Sequence, residues 1–221
     1  NCSNFEVSGI RFEKSRCWTL SFDMCSNGYI HSLEIYTDVK NGDGIDIRSG
    51  CHNICIEDIC GNTSDDSIAC TALRTAEDDN KYPQGNYLYP LEPSCCIKNK
   101  NGDNVNISNV IIKNIVTGGK CHGVICLAAN GCQLENIMID GVKETEGEWR
   151  EATVKIYTGY GESSSESDMK NIVVKNVESV YADYGVYCNT PIKHCLLKDI
   201  YSKNAGREIK LDYPDGFSVS Y

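Results

Sequence analysis

Three aspartates, Asp43, Asp65 and Asp66, are the residues whose type and spacing best suit acid–base chemistry. Asp43 and Asp66 are 23 residues apart, and each precedes a short segment of alternating apolar residues, 44–47 and 67–70. If these segments stack as neighbouring strands do, about 4.8 Å apart, the three carboxyl groups meet at one place. Crowded carboxyl groups cannot all ionise cheaply, so one keeps its proton while another is charged. Glycoside hydrolysis needs such a pair, and the stacking predicts a separation in or near the roughly 6.5–9.5 Å of inverting enzymes.

His122 holds the same position in a later segment, two residues before its first inward-facing residue. The outward-facing residues beside this column are Asp46 and Arg48 next to the acids, with Lys155 and Tyr157 farther along. Acids and aromatic side chains on one face suit a sugar chain lying along a shallow groove. The alternatives are structural, because an aspartate before glycine is usually a turn residue and Lys155 equally fits a solvated lysine. The shared register favours function for the acids and for His122.

A short sequence motif, one polar residue followed by alternating apolar residues, recurs along the chain. Its copies begin at Asn4, Asn53, Asn109, Asn136, Asn171 and His194, with a weaker copy near Ser32, and each is followed by a second alternating segment. Two short strands in each repeat, with period-two alternation and β-branched residues, exclude a helical array. The sequence therefore predicts an all-β fold, a parallel β-helix of about seven coils.

The second segments of the repeats predict two inward-facing columns of side chains. One column contains Ile45, Ile68, Val124, Val154, Val186 and Ile209, and the other contains Ile47, Cys70, Cys126, Ile156, Cys188 and Leu211. Because three of the 14 cysteines fall in a column of Ile and Leu, we expect them to be buried thiols rather than disulfides. The asparagines that open the repeats predict a ladder of side-chain amides at one turn of the coil.

Two stretches interrupt the repeats and predict inserted loops, at about 74–103 and 159–168, in a single domain that covers residues 1–221. The first is rich in proline, tyrosine and acids, and the second in glycine, serine and acids. The chain opens inside a strand pattern, which is consistent with a piece of a longer protein that lacks N-terminal coils. We see no signal peptide in this opening.

The formal net charge of −10 argues against nucleic acid and anionic membrane surfaces as partners, because phosphate binding needs a basic stripe. The sequence has no apolar run of 18 residues, so it predicts no membrane span. It has no Cys-x2-Cys pair of the kind that zinc sites use, and Cys121 beside His122 has no second pair of ligands. We therefore expect no metal and no other cofactor.

Five short segments resemble the polygalacturonase-type glycoside hydrolases of family 28. Segment 17–20, Cys-Trp-Thr-Leu, is similar to the family's F-W-T-L, and segment 41–44, Asn-Gly-Asp-Gly, is similar to N-T-D-G. Segment 64–66, Ser-Asp-Asp, is similar to G-D-D, and segment 121–123, Cys-His-Gly, is similar to G-H-G. Segment 155–157, Lys-Ile-Tyr, falls where the family has R-I-K. The resemblance extends from about residue 4 to 211 and implies a right-handed parallel β-helix enzyme that cleaves pectin with inversion.

The resemblance also implies roles for individual residues. Asp65 would be the general acid, Asp43 and Asp66 would activate water, and His122 would support the acid or the substrate. Lys155 and Tyr157 would contact the substrate, and we add Arg48 to them because it lies beside the acids. Lys is a weaker bidentate partner for a carboxylate than Arg, and Tyr is uncharged, so a neutral or differently decorated glycan is an open alternative to a uronic acid.

Two other functions remain open from the sequence. A β-helix polysaccharide lyase or epimerase would use the three acids to bind Ca²⁺, with Lys155 as the base. A carbohydrate-binding solenoid would bind sugar without turnover. We expect a polysaccharide or oligosaccharide partner in each case, and the oligomeric state is left open. A polymer substrate slightly favours the cell exterior, whereas the thiol-like cysteines favour a reducing compartment.

Overall fold

The computed structural model describes residues 2–72, 104–129, 131–148, 151–158, 165–166 and 168–220. Its strands, in chain order, are β1 (Ser3–Ser8), β2 (Arg11–Glu13), β3 (Leu20–Phe22), β4 (Ser26–Tyr36), β5 (Ile45–Arg48), β6 (His52–Thr63), β7 (Ile68–Ala72), β8 (Ile107–Gly119), β9 (Val124–Ala128), β10 (Leu134–Glu144), β11 (Ala152–Thr158), β12 (Met169–Ser179), β13 (Tyr184–Cys188), β14 (Lys193–Ser202), β15 (Ile209–Leu211) and β16 (Phe217–Ser220). No helix occurs within these residues, and so none of the described chain is a helix suited to crossing a membrane.

The strands form two parallel sheets, because each turn of the chain adds one strand to each sheet. The larger sheet has the order β1-β4-β6-β8-β10-β12-β14-β16, with β2 also paired to β4, and the smaller sheet has the order β15-β13-β11-β9-β7-β5-β3. The described strands form a right-handed parallel β-helix of seven coils, with β16 beginning the next coil. This confirms the fold predicted from the repeats.

The core lies between the two sheets and consists of the predicted columns. Ile45 pairs in register with Ile68, which pairs with Val124, and the column continues to Ile209. Cys70 pairs with Cys126 in the second column. These inward-facing side chains are almost fully buried except Ile209 and Leu211 of the last coil, which are partly buried. Cys70, Cys126 and Cys188 are free thiols as expected. Period-two alternation directs every second side chain inward, so each coil adds one layer to the core.

The larger sheet bends at asparagines with left-handed backbone conformation, and these form the predicted ladder. Asn53, Asn109, Asn136 and Asn171 all have φ of 56°, a region that Asn adopts more readily than other non-glycine residues. Each amide donates to the preceding one, for example Asn109 Nδ2 to Asn53 Oδ1 at 2.9 Å. The ladder continues through Asn27 to Asn4 at one end and to His194 at the other. The side chains therefore tie one coil to the next at the bend.

Strand β7 pairs directly with β9, and β6 pairs directly with β8. This pairing brings the third and fourth coils together and positions the residues that precede β5, β7 and β9. The predicted inserted loop at 74–103 lies outside the described residues, as does most of the one at 159–168. The assignment of 1–221 to a single domain stays a prediction.

Candidate active site

The structure brings Asp43, Asp65 and Asp66 together at the ends of two neighbouring strands. Asp43 precedes β5 and Asp66 precedes β7, and the backbone N–H of Gly44 donates to the carbonyl of Asp66 at 2.9 Å. One carboxylate oxygen of each acid lies within 4.8 Å of the others. The expected separation of 6.5–9.5 Å is therefore too long for the nearest oxygens, because side chains on adjacent coils start only about 4.8 Å apart.

Asp43 is a buried carboxyl group that keeps its proton. The residue is 7% exposed, and its Oδ1 has no hydrogen-bond partner within the described part of the chain. Burial, followed by the negative charges of Asp46, Asp66 and Asp65, raises the pKa of Asp43 to about 10. Asp43 is therefore neutral near pH 7.

Asp46 and Arg48 do not lie on an open groove surface, and that expectation was wrong. Asp46 is 1% exposed and Arg48 is 5% exposed. The guanidinium carbon of Arg48 lies 4.4 Å from the centre of the Trp18 ring, so the indole of the preceding coil covers it. Burial raises the pKa of Asp46 well above its usual value, and the positive charge of Arg48 opposes this effect in part. Both residues are therefore buried rather than part of an open surface.

His122 is placed against Asp66 by the pairing of β7 with β9. Its Nδ1 lies 2.7 Å from Oδ1 of Asp66, and its backbone N–H donates to the same oxygen at 3.2 Å. These two contacts fix the orientation of the Asp66 carboxyl group. His122 Nε2 is buried and has no hydrogen-bond partner among the described residues.

Cys121 adds a thiol to the same cluster, with its Sγ 3.4 Å from Nδ1 of His122. Within the residues that the structure describes, two groups could hold a metal ion: Asp43 with Asp65 and Asp66, and Asp66 with Cys121 and His122. The sequence showed no further ligand for Cys121 and His122. The structure supplies Asp66, which lies 56 residues earlier in the chain but on the adjacent coil.

Lys155 and Tyr157 lie on β11, beside an open cavity of about 320 Å³ that begins at His122. The lining residues are His122, Ile125, Glu151, Lys155, Tyr157, Tyr187 and Asn189. A cavity of this volume, with aromatic walls and a few polar groups, is of the size that binds small ligands. His122 connects it directly to the acid cluster.

The ammonium group of Lys155 is enclosed and is not a solvated charge. It forms an ion pair with Glu151, and its Nζ lies 4.5 Å from the centre of the Tyr187 ring and 5.2 Å from that of Tyr157. Burial, and then the charge of Lys210, lowers the pKa of Lys155. The pocket therefore presents a lysine whose charge is already offset by a carboxylate.

Lys210 on β15 extends this surface to the last coil. Its Nζ lies 4.1 Å from the centre of the Tyr187 ring. The hydroxyl group of Tyr187 donates a hydrogen bond to Asp212 at 2.9 Å. Asp212 therefore accepts a hydrogen bond from an aromatic residue that lines the groove. Sequence reasoning missed Glu151 and Lys210, although the register of Lys210 with Tyr187 could have indicated the second.

Not every buried acid belongs to the candidate site. Glu144 is 3% exposed, and its carboxylate accepts hydrogen bonds from Thr153 Oγ1 and from the backbone N–H groups of Val180 and Tyr181. This set of donors satisfies the carboxylate and holds the turn after β12. The contrast with the unpartnered oxygen of Asp43 separates a structural acid from a candidate catalytic one.

No protein-family model and no curated protein matches the chain. Among solved structures, the chain is similar to a hyperthermoactive exopolygalacturonase from Thermotoga maritima, with a TM-score of 0.57 and 16% identity. The alignment covers 95% of this chain and 53% of that one, so the chain spans about half the length of that structure. At this identity the likeness shows the fold alone, which is a right-handed parallel β-helix.

Proposed function

We propose that this protein is a glycoside hydrolase that cleaves a polysaccharide or oligosaccharide through its carboxyl groups. The observation that carries the proposal is the convergence of Asp43, Asp65 and Asp66, whose oxygens lie within 4.8 Å of one another. Neighbouring acids hold a proton and a negative charge at the same place, and cleavage of a glycosidic bond requires both. The likeness in fold to an exopolygalacturonase favours a pectin-type or related glycan.

In the proposed reaction, Asp65 donates a proton to the glycosidic oxygen as the bond to the anomeric carbon breaks. Asp66, oriented by His122, accepts a proton from the water that attacks this carbon. Asp43 is neutral because its pKa is about 10, so it limits the negative charge beside the other two acids. This differs from the resemblance, which implies that Asp43 helps to activate water.

Direct attack by water, without a covalent intermediate, inverts the configuration at the anomeric carbon. We propose inversion because the resemblance implies it and because Asp66 and His122 can hold a water beside the leaving group. The close spacing of the acids, whose nearest oxygens lie within 4.8 Å of one another, would instead suit retention, so the product anomer decides between the two. Proton magnetic resonance of the first product formed would show which anomer appears. Inversion and retention give opposite anomers before the product equilibrates.

The groove around Lys155 favours a neutral or weakly acidic sugar. Glu151 offsets the lysine charge, and the Tyr157 and Tyr187 rings offer flat surfaces for a sugar ring. Lys155 and Tyr157 would contact the substrate directly. Arg48 would influence the bound substrate only indirectly, because it is 5% exposed and stacks on Trp18.

The proposal is tested by measuring the release of reducing sugar from polygalacturonan, rhamnogalacturonan and neutral glucans and galactans. Wild type and Asp65→Asn are compared with and without EDTA. We expect hydrolysis of one glycan that EDTA does not lower and that falls by at least about 10²-fold in the variant. A calcium-dependent, ultraviolet-absorbing unsaturated product would identify a lyase instead. Sugar binding without turnover by the folded wild type would identify a binding solenoid.

A further inference from the structure

Cys121 brings a sulfur ligand to the edge of the acid cluster. Its Sγ lies 3.4 Å from His122 Nδ1, which in turn lies 2.7 Å from Asp66 Oδ1. The three ligand atoms all lie within 4.8 Å of one another. A sulfur, a nitrogen and an oxygen therefore converge on one small volume between two adjacent coils.

These separations are close to those of a tetrahedral zinc site. Bond lengths of about 2.3 Å to sulfur and about 2.0–2.2 Å to nitrogen and oxygen place tetrahedral ligands about 3.3–3.6 Å apart. Cys121 and His122 already meet this spacing at 3.4 Å. Asp66 and His122 would separate by about 0.6 Å as their hydrogen bond is replaced by two bonds to the metal.

A second observation indicates a missing cation at this place. Asp66 also belongs to the cluster with Asp43 and Asp65, and Asp43 is 7% exposed with an Oδ1 that has no partner in the described residues. A buried carboxyl oxygen without a hydrogen-bond partner is costly unless a donor or a cation approaches it, and a cation bound there would displace the proton of Asp43. Asp43 or Asp65 can supply the fourth ligand.

We propose that Asp66, Cys121 and His122 bind a divalent transition metal, with zinc as the ion that best suits the ligand set. Thiolate and imidazole ligands favour zinc or cobalt over calcium and magnesium, which prefer oxygen alone. As the metal–sulfur bond forms, the Cys121 thiol releases its proton to solvent. The imidazole binds as a neutral ligand through Nδ1 and carries its own proton on Nε2.

The metal has a functional consequence that depends on the proposed hydrolase. A metal ion bound to Asp66 would prevent this carboxylate from accepting a proton from the attacking water. The site therefore makes hydrolysis sensitive to inhibition by zinc, and the sensitivity depends on the thiol of Cys121.

Cobalt is the probe for the site itself, because a cobalt–thiolate bond gives a charge-transfer absorption that needs no enzyme activity. EDTA-treated protein, freed of chelator, is titrated with Co²⁺ under reducing conditions. We expect wild type to show the thiolate absorption, and Cys121→Ser to lose it and to bind more than about tenfold more weakly. Cys60→Ser is the matched control, since it removes an exposed thiol from the other sheet and retains the absorption.

Absence of the thiolate absorption in wild type, or its persistence in Cys121→Ser, would overturn the metal site. If Cys121→Ser does not fold, Asp66→Asn replaces it and must show the same weakening. On a glycan that the protein hydrolyses, the rate with Zn²⁺ divided by the rate without Zn²⁺ should be low for wild type and Cys60→Ser. The same ratio should be close to one for Cys121→Ser. Failure to hydrolyse any glycan would refute the proposed function and leave the cobalt titration a valid test of the metal site.

Discussion

Asp66 Oδ1 accepts the backbone N–H of His122 at 3.2 Å and lies 2.7 Å from the Nδ1 of the same residue. The two residues are 56 positions apart and meet only because β7 pairs directly with β9. His122 also lines the cavity that extends to Lys155. This single pair therefore joins the acid cluster to the groove in which we propose that the sugar binds.

We predict that His122→Ala lowers kcat by about 10²-fold, because Asp66 loses the side chain that orients it. The measurement is the rate on the best glycan in the presence of EDTA, so that metal inhibition plays no part. His52→Ala is the control, since His52 lies on β6 in the other sheet, where its Nδ1 lies 3.2 Å from the nearby Gly50 carbonyl oxygen. Equal losses in the two variants would contradict an orienting role for His122.

Asp43→Asn should stabilise the protein at neutral and alkaline pH. The unfolded chain ionises Asp43 above about pH 4, whereas the folded chain keeps the proton up to a pKa of about 10 because the group is buried. Wild-type stability therefore falls as pH rises between these values, by at most about 1.4 kcal/mol per pH unit. The difference in Tm between variant and wild type should be small at pH 4 and should grow toward pH 9.

Asp140→Asn is the control of opposite sign for this experiment. Partial burial raises the pKa of Asp140, but the hydrogen bonds from Asn176 and Lys175 outweigh it and the net pKa is lowered. Its ionised form therefore stabilises the fold above the unfolded pKa, and the benefit is lost as pH falls. Asp140→Asn should lower Tm at pH 7 and approach wild type under acid conditions. A pH-independent effect of Asp43→Asn would contradict the account of the buried proton.

Glu151→Gln should shift substrate preference toward acidic sugars, because it frees the Lys155 ammonium that Glu151 now neutralises. We expect kcat/KM on a uronate-containing glycan, relative to a neutral one, to rise up to about fivefold. Glu178→Gln is the matched control, since Glu178 forms an exposed ion pair with Lys143 on the other sheet. An unchanged ratio in Glu151→Gln would show that the Lys155 charge does not determine which sugar is accepted.

Asn109→Ala should destabilise the coil by about 1–3 kcal/mol in urea unfolding. The change removes amide hydrogen bonds to Asn53 and Asn136 and places alanine at a φ of 56°. Asn109→Gly tolerates the backbone conformation and loses only the hydrogen bonds, so it should cost less than alanine. If glycine is as damaging as alanine, backbone conformation is not part of the asparagine's contribution.

The repeat pattern predicted the coil, the core columns and the asparagine ladder because strand alternation and coil stacking are regular. The same regularity predicted that Asp43, Asp66 and His122 share a column. It could not predict that Asp46 and Arg48 are buried, since both alternate outward and only the position of Trp18 covers the arginine.

The sequence also could not predict which side chains pair across irregular turns. Glu151 lies just before β11, where no periodicity indicates that it pairs with Lys155. The contact of Cys121 with Asp66 and His122 depends on how the chain turns into β9. Spacing therefore predicted which residues share an edge of the sheet, and rotamers and turns determined their contacts and depth.

The central claim is that the acid cluster hydrolyses a glycan. Its most direct test is the reaction of wild type and Asp65→Asn, in water labelled at oxygen, with the glycan that wild type cleaves fastest. Hydrolysis places one labelled oxygen on the new reducing end, which mass spectrometry detects, and the variant should form this product at least about 10²-fold more slowly. A labelled product in wild type that nearly disappears in Asp65→Asn is the predicted result. Cleavage without label, or equal labelling by both proteins, would contradict hydrolysis by this acid cluster.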